Sequence, residues 1–113
     1  MTAAVYNLVI DQGSDFAIDL TIKELGSAKD LSGYSARAQM RSTRTASSVA
    51  ATFACTVLNP VANGVVKMSL SNGVSSALTA GRYFYDLEIH TTNNAVVRRL
   101  IQGEVTLNPE VTR

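Results

Sequence analysis

Leu78, Gly81 and Tyr83 stand as Leu-x-x-Gly-x-Tyr at the head of the run Tyr83-Phe84-Tyr85-Asp86-Leu87-Glu88-Ile89. A strand opens this way at the corner of a Greek-key β-sandwich: the glycine permits a tight approach, and the tyrosine folds back so that its hydroxyl bonds a main-chain group upstream. Leu78, Gly81 and Tyr83 are therefore read as a structural corner. They constrain architecture strongly and are silent on activity.

The rest of the chain agrees with an all-β reading, because period-2 alternation recurs and sustained 3.6-residue periodicity is missing. A first strand, Val5-Tyr6-Asn7-Leu8-Val9-Ile10, is apolar on both faces, and Asp11-Gln12-Gly13-Ser14 turns it. In the second, Phe16, Ile18, Leu20 and Ile22 share one face against Asp15, Ala17, Asp19, Thr21 and Lys23 on the other. After a loop over residues 25–30, Ala36, Ala38 and Met40 alternate with Arg37, Gln39 and Arg41. Residues 42–48 form an exposed loop. A fourth strand covers residues 50–58 with Phe53, Cys55 and Val57 inward, and Asn63-Gly64 suits the positive φ angles of a hairpin turn into a fifth at residues 65–70.

Ser71-Asn72 caps one helical turn reaching Ala77. The sixth strand then buries Tyr83, Tyr85, Leu87 and Ile89, and Asn93-Asn94 tolerates left-handed backbone in the turn that follows. The last strand runs over residues 96–107 and stops at Asn108-Pro109. Alternation sends Arg99 inward with Val97 and Ile101, which a register break or a partner carboxylate would resolve. Seven such strands and one short helical turn predict an immunoglobulin-like Greek-key β-sandwich occupying residues 1–113 as a single domain. At 113 residues such a domain buries roughly two-thirds of the surface its unfolded chain exposes.

Composition narrows function mainly by exclusion. A net charge of +1 gives no electrostatic footprint for nucleic acid or an anionic membrane. The uncharged stretch over residues 45–66 is too broken by polar residues to cross a bilayer, and no secretory leader is evident at the N-terminus. One cysteine, Cys55, excludes an internal disulfide and a thiolate cluster. Charged residues make up 17%, below the usual quarter, as expected where other protein covers part of the exterior.

No catalytic, metal or cofactor site emerges. His90, the single histidine, shares a strand face with Asp86 and Glu88, but no nucleophile has a place beside it. Asp11, Asp15 and Asp19 recur every four residues, which on a strand does not converge the six to eight oxygens that calcium needs. Arg37, Arg41 and Arg44 cluster on one side, with Arg98 and Arg99 on the last strand and Phe84 facing away from the core. Nucleic-acid readers add aromatic platforms to such patches; here most aromatics turn inward, so these six residues are read as a partner interface, with the loops at 25–30 and 42–48 as further contacts.

Four segments taken in order carry a resemblance: residues 6–16 (YNLVIDQGSDF), 30–37 (DLSGYSAR), 78–87 (LTAGRYFYDL) and 103–112 (GEVTLNPEVT). Together they resemble small structural proteins of tailed bacteriophages, particularly contractile-tailed cyanophages. They are also similar to the N-terminal sandwich domain of siphophage upper baseplate proteins. The resemblance implies a non-enzymatic virion component, a tail or baseplate subunit or adaptor joining larger tail proteins. It implies multiple copies in a symmetric assembly built in the bacterial host cytoplasm, with no catalytic residues to carry over. Upper baseplate proteins continue into a stalk and receptor-binding attachment, which this sequence lacks, so direct receptor binding is not expected.

Two alternatives remain: a capsid decoration (cement) protein, and a host-glycan-binding module using Tyr6, Tyr34 or Phe84. The uncharged fourth strand has no edge lysine as gatekeeper, so an edge, or the first and last strands, is expected to be covered by neighbours, by strand addition among other routes.

Overall fold

In the computed structural model, which describes residues 4–24 and 26–111, the described residues form ten strands. They are β1 (Ala4–Val5), β2 (Leu8–Asp11), β3 (Phe16–Thr21), β4 (Lys23–Glu24), β5 (Ser27–Ala28), β6 (Ser35–Arg41), β7 (Ala51–Val57), β8 (Val65–Leu70), β9 (Gly81–His90) and β10 (Val97–Asn108). A curled path runs β1, β10, β9, β6, β7, β8, β3, with β2 also on β10 and β4–β5 forming a separate small hairpin. The result is the all-β sandwich that alternation predicts. It has more strands than seven because the first is broken at Tyr6–Asn7, the second is broken at Ile22 into β3 and β4, and the 25–30 loop, of which Leu25 lies outside the described residues, carries β5.

Strand β7 joins the two layers. Its residues 51–53 pair with β6, and residues 54–57 pair with β8. This uncharged strand therefore lies within the curled path, between β6 and β8, with each half paired to one of those neighbours. The edges are β3, which carries an exposed Asp19, and the β1–β2 side, where both strands run parallel to β10.

Alternation is faithful inside. Leu8, Ile10, Leu20, Ala38, Met40, Phe53, Val66, Met68, Leu87 and Ile89 are buried in one core cluster. Phe53 sits at its aromatic centre, 6.3 Å from Phe16 and 6.2 Å from Tyr85 between ring centroids. Burying each such side chain contributes about 1.5–3 kcal/mol. The first strand departs from its two-faced reading: Leu8 and Ile10 are sealed, while Val5 and Val9 stand 71% and 64% exposed.

Turns follow local chemistry with one exception. Helix α1 (Asn72–Ala77) is capped by Ser71, whose hydroxyl accepts from the Val74 amide. Asn93 and Asn94 take left-handed φ of 61° and 55°. The Asn63-Gly64 pair, by contrast, is not a two-residue hairpin turn. Asn63 ends a 3-10 turn at Val61–Asn63, and Gly64 alone, at φ 69°, takes the left-handed position. A Cβ on Gly64 would lie 2.7 Å from the carbonyl oxygens of both Ile22 and Lys29, so the longer loop is pressed against the neighbouring chain.

The corner is built around Tyr83, whose hydroxyl donates to the Thr79 carbonyl, while the Leu78 carbonyl accepts from Gln12 Nε2 at 2.7 Å. Gly81 contributes conformation, with φ +149° and nothing within 4 Å of where a Cβ would be. The tight approach expected there occurs instead at Gly103, where a Cβ would fall 2.3 Å from the Tyr6 carbonyl oxygen.

Candidate partner-binding face

Strands β6, β9 and β10 pair side by side, so their outward residues form rows across the sheet. Arg37, Glu88 and Arg99 make one row, Gln39, Asp86 and Gln102 the next, and Arg41, Phe84 and Glu104 a third. The rows border a concavity of about 470 Å³ that also takes in Thr43 and Arg44 from the 42–48 loop. Register places these side chains on one face because the alternate residues of β9 (Tyr83, Tyr85, Leu87, Ile89) are committed to the core.

A bulge decides where Arg99 points. Between Arg99 and Ile101 the β9–β10 register shifts by one, which lets the adjacent Leu100 and Ile101 both bury and turns Arg99 outward. Its Nε lies 3.1 Å from Asp86 Oδ2, so a register break and a carboxylate partner act together. Val97, expected inward, pairs with His90 on the outer side of the bulge and is 42% exposed.

Charge on this face is partly internal. Arg37 Nε pairs with Glu88 Oε1 at 2.9 Å, and Arg37 also donates to Asn94 Oδ1 at 3.2 Å. Arg41 donates to the Ala46 carbonyl at 3.0 Å and to Gln39 Oε1 at 3.2 Å, tying the loop to the sheet. The Arg44 guanidinium lies over the Phe84 ring, 5.1 Å from its centroid, a geometry favoured by the ring quadrupole. Burial raises the Asp86 carboxyl above its usual range, opposed chiefly by Arg99.

Of the six side chains expected at an interface, Arg37, Arg41, Arg44, Phe84 and Arg99 thus gather round one concavity. Arg98 does not join them. It pairs across from the buried Ile89, hence on the opposite face, where its field reaches Glu24. Asp86, Glu88, Gln39 and Gln102 belong to the site although sequence reasoning weighed the two acids only as neighbours of His90. Their even spacing with Phe84 is the signal that groups them. His90 shows one weak side-chain contact, from Nδ1 to the Thr91 carbonyl oxygen at 3.4 Å. Among the described residues no cluster of three metal-ligating side chains occurs, and no helix is long and apolar enough to cross a membrane.

A second surface lies along the first strand, one of those that neighbours are expected to cover. Val5, Tyr6 and Val9 are exposed along the β1–β2 edge, beside the bend that crosses Gly103. The Tyr85 hydroxyl donates to the Tyr6 carbonyl and holds that bend. Burial, with a smaller push from the Tyr6 phenol, raises the Tyr85 hydroxyl well above its ordinary range, so it stays a donor.

No family model and no curated protein sequence matches the chain. Among solved structures, the chain is similar to the N-terminal domain of ORF48 of phage TP901-1. That likeness has a TM-score of 0.59 at 14% identity and covers 96% of this chain and 99% of that domain. It is also similar to part of InlP from Listeria monocytogenes, with a TM-score of 0.50 and 18% identity over 91% of this chain and 26% of that one. At these identities the likeness shows a shared fold.

Proposed function

We propose that this chain is a non-enzymatic structural subunit of a tailed-phage virion, sited in the tail or baseplate, where it joins larger tail proteins. The cyanophage likeness of its four segments is the finer form of the same reading. In it the chain assembles in the bacterial host cytoplasm, in several copies within a symmetric particle, and engages neither nucleic acid nor membrane. One observation carries the proposal: the fold is matched nearly end to end, over 96% of this chain and 99% of the other, by a phage protein domain.

The surfaces agree with such a role. A rigid two-layer body offers a charged concavity on one sheet and an apolar edge at Val5 and Val9. A standard interface of about 1,600 Å² in total is enough for stable docking. Glycan recognition is less favoured, because the Phe84 ring is covered by Arg44 and Tyr34 by Lys29. Each of these rings has a cation over one face, which leaves Tyr6, 44% exposed, as the ring most open to a sugar.

Mass spectrometry of purified virions, separated into heads and tails, tests the proposal. The expected result is the chain in the tail fraction at a few copies per particle. Its absence from particles overturns the reading, and abundance in the head fraction replaces it with a capsid-decorating role.

A further inference from the structure

We propose that the concavity between β6, β9 and the 42–48 loop seats an acidic polypeptide segment of the neighbouring protein, whose Asp or Glu carboxylates dock between Arg41 and Arg44 beside Phe84. The proposal rests on the docking role above and adds the partner's chemistry.

Charge distribution carries it. Among the described residues the ion pairs are Lys29–Glu24, Arg37–Glu88 and Arg99–Asp86. Two of the four arginines at the concavity are thus matched within the chain, and Arg41 and Arg44 are not. The nearest acids are accounted for. Asp86 feels Arg41 but lies on Arg99, and Glu104 stands across Phe84 from Arg41 in the third row without an ion pair to either.

Both unmatched guanidiniums are held in place, Arg41 by the Ala46 carbonyl and Gln39, Arg44 by the face of Phe84. A planar fork fixed this way keeps N–H groups for a carboxylate and loses little freedom on binding it. The surrounding acids select the kind of anion. Asp86, Glu88 and Glu104 repel a nucleic-acid strand, whose phosphates are fixed in the backbone at every step, whereas an extended acidic peptide turns every other carboxylate away from them. An extended peptide repeats on one face about every 7 Å, so its carboxylates can be spaced to meet the arginines and miss the acids.

NMR titration of the ¹⁵N-labelled chain with hexaglutamate peptide, read at the arginine Nε–H signals, tests this directly. Saturating shifts at Arg41 and Arg44 are expected, with a dissociation constant on the order of 1 mM at low salt, weakening several-fold at about 0.15 M salt. Arg41→Gln and Arg44→Gln should each weaken binding about ten-fold, and Arg44→Lys about three-fold, since it keeps the charge and loses the fork. Lys67→Gln, on the other layer, should change it by less than about two-fold because exposed charges a Debye length apart are screened. Thermal melts of each variant confirm folding.

Absent or non-saturating shifts, equal shifts with hexaglutamine, equal shifts with inorganic phosphate, or tighter binding of an oligothymidylate strand would each overturn the proposal. The last would make the face a nucleic-acid site. Failure here leaves the virion result standing, since that is read on particles. Absence from particles would equally leave the titration unaffected.

Discussion

Strand β9 places two unlike surfaces one residue apart. Tyr83, Tyr85, Leu87 and Ile89 are sealed in the core, whereas Phe84, Asp86, Glu88 and His90 stand half-buried on the outer face. Identical backbone serves both. Inward residues gain from exclusion of water and from close packing, which makes them sensitive to the loss of a few atoms. Outward residues gain little from each other in the free chain, since exposed ion pairs are worth at most about 1 kcal/mol. The inner face therefore holds the fold together, and the outer face is at liberty to be shaped by a partner.

The contrast can be broken most directly at Leu87. Leu87→Ala leaves a void at a position with no solvent exposure, and urea unfolding should show a loss of about 3 kcal/mol. A loss under about 1 kcal/mol would mean that the core collapses around the gap and that the two faces differ less than argued. Gly103→Ala comes next, at about 2 kcal/mol, because the new methyl meets the Tyr6 carbonyl and the β1–β2 bend has to move. The same variant should loosen that edge, raising hydrogen exchange at Leu8 and Ile10.

Tyr83→Phe removes one hydroxyl and leaves the Thr79 carbonyl without its donor, for about 1 kcal/mol. An unchanged unfolding midpoint would show that the corner is held by ring packing alone. The smallest effect belongs to the outer face, where Glu88→Gln should cost less than about 0.5 kcal/mol. A larger loss would make the Arg37–Glu88 pair part of the folding machinery.

Cys55 sharpens the comparison through pH. Its thiol is half-buried on β7, and burial pushes it from an ordinary 9.0 up to about 11. The folded chain thus holds the proton more tightly than the unfolded one. Between those two values the unfolded state loses its proton first, so stability falls as pH rises through that window. At pH 8 a disulfide reagent should modify the native thiol much more slowly than the urea-unfolded thiol, since the thiolate is the reactive form. Equal rates would place Cys55 outside the core.

Much of the fold is legible in the residue order for a local reason. The inward set Phe16, Ile18, Leu20 and Ile22, the inward set of β9, the Ser71 cap and the left-handed Asn93-Asn94 pair each depend on neighbours in sequence. Side-chain alternation and turn chemistry act over a few residues, so they can be read there. The grouping of Arg37, Arg41 and Phe84 is half-legible on the same ground, because all three sit at outward positions of strands.

The residue order by itself determined which side chains face the core on every strand but the first and the last, roughly where the chain turns, and that arginines and Phe84 stand on an outer surface. Tertiary structure alone decided the rest: β7 shared between two layers, β1 and β2 parallel to β10, Arg99 turned outward to Asp86, and Arg98 parted from the other arginines. Each of these depends on hydrogen-bond register between strands far apart in sequence, and a one-residue shift in register reverses every side chain beyond it. Alternation carries no information about which strand lies alongside, and so the matched and unmatched charges of the outer face become visible only once the sheet has closed.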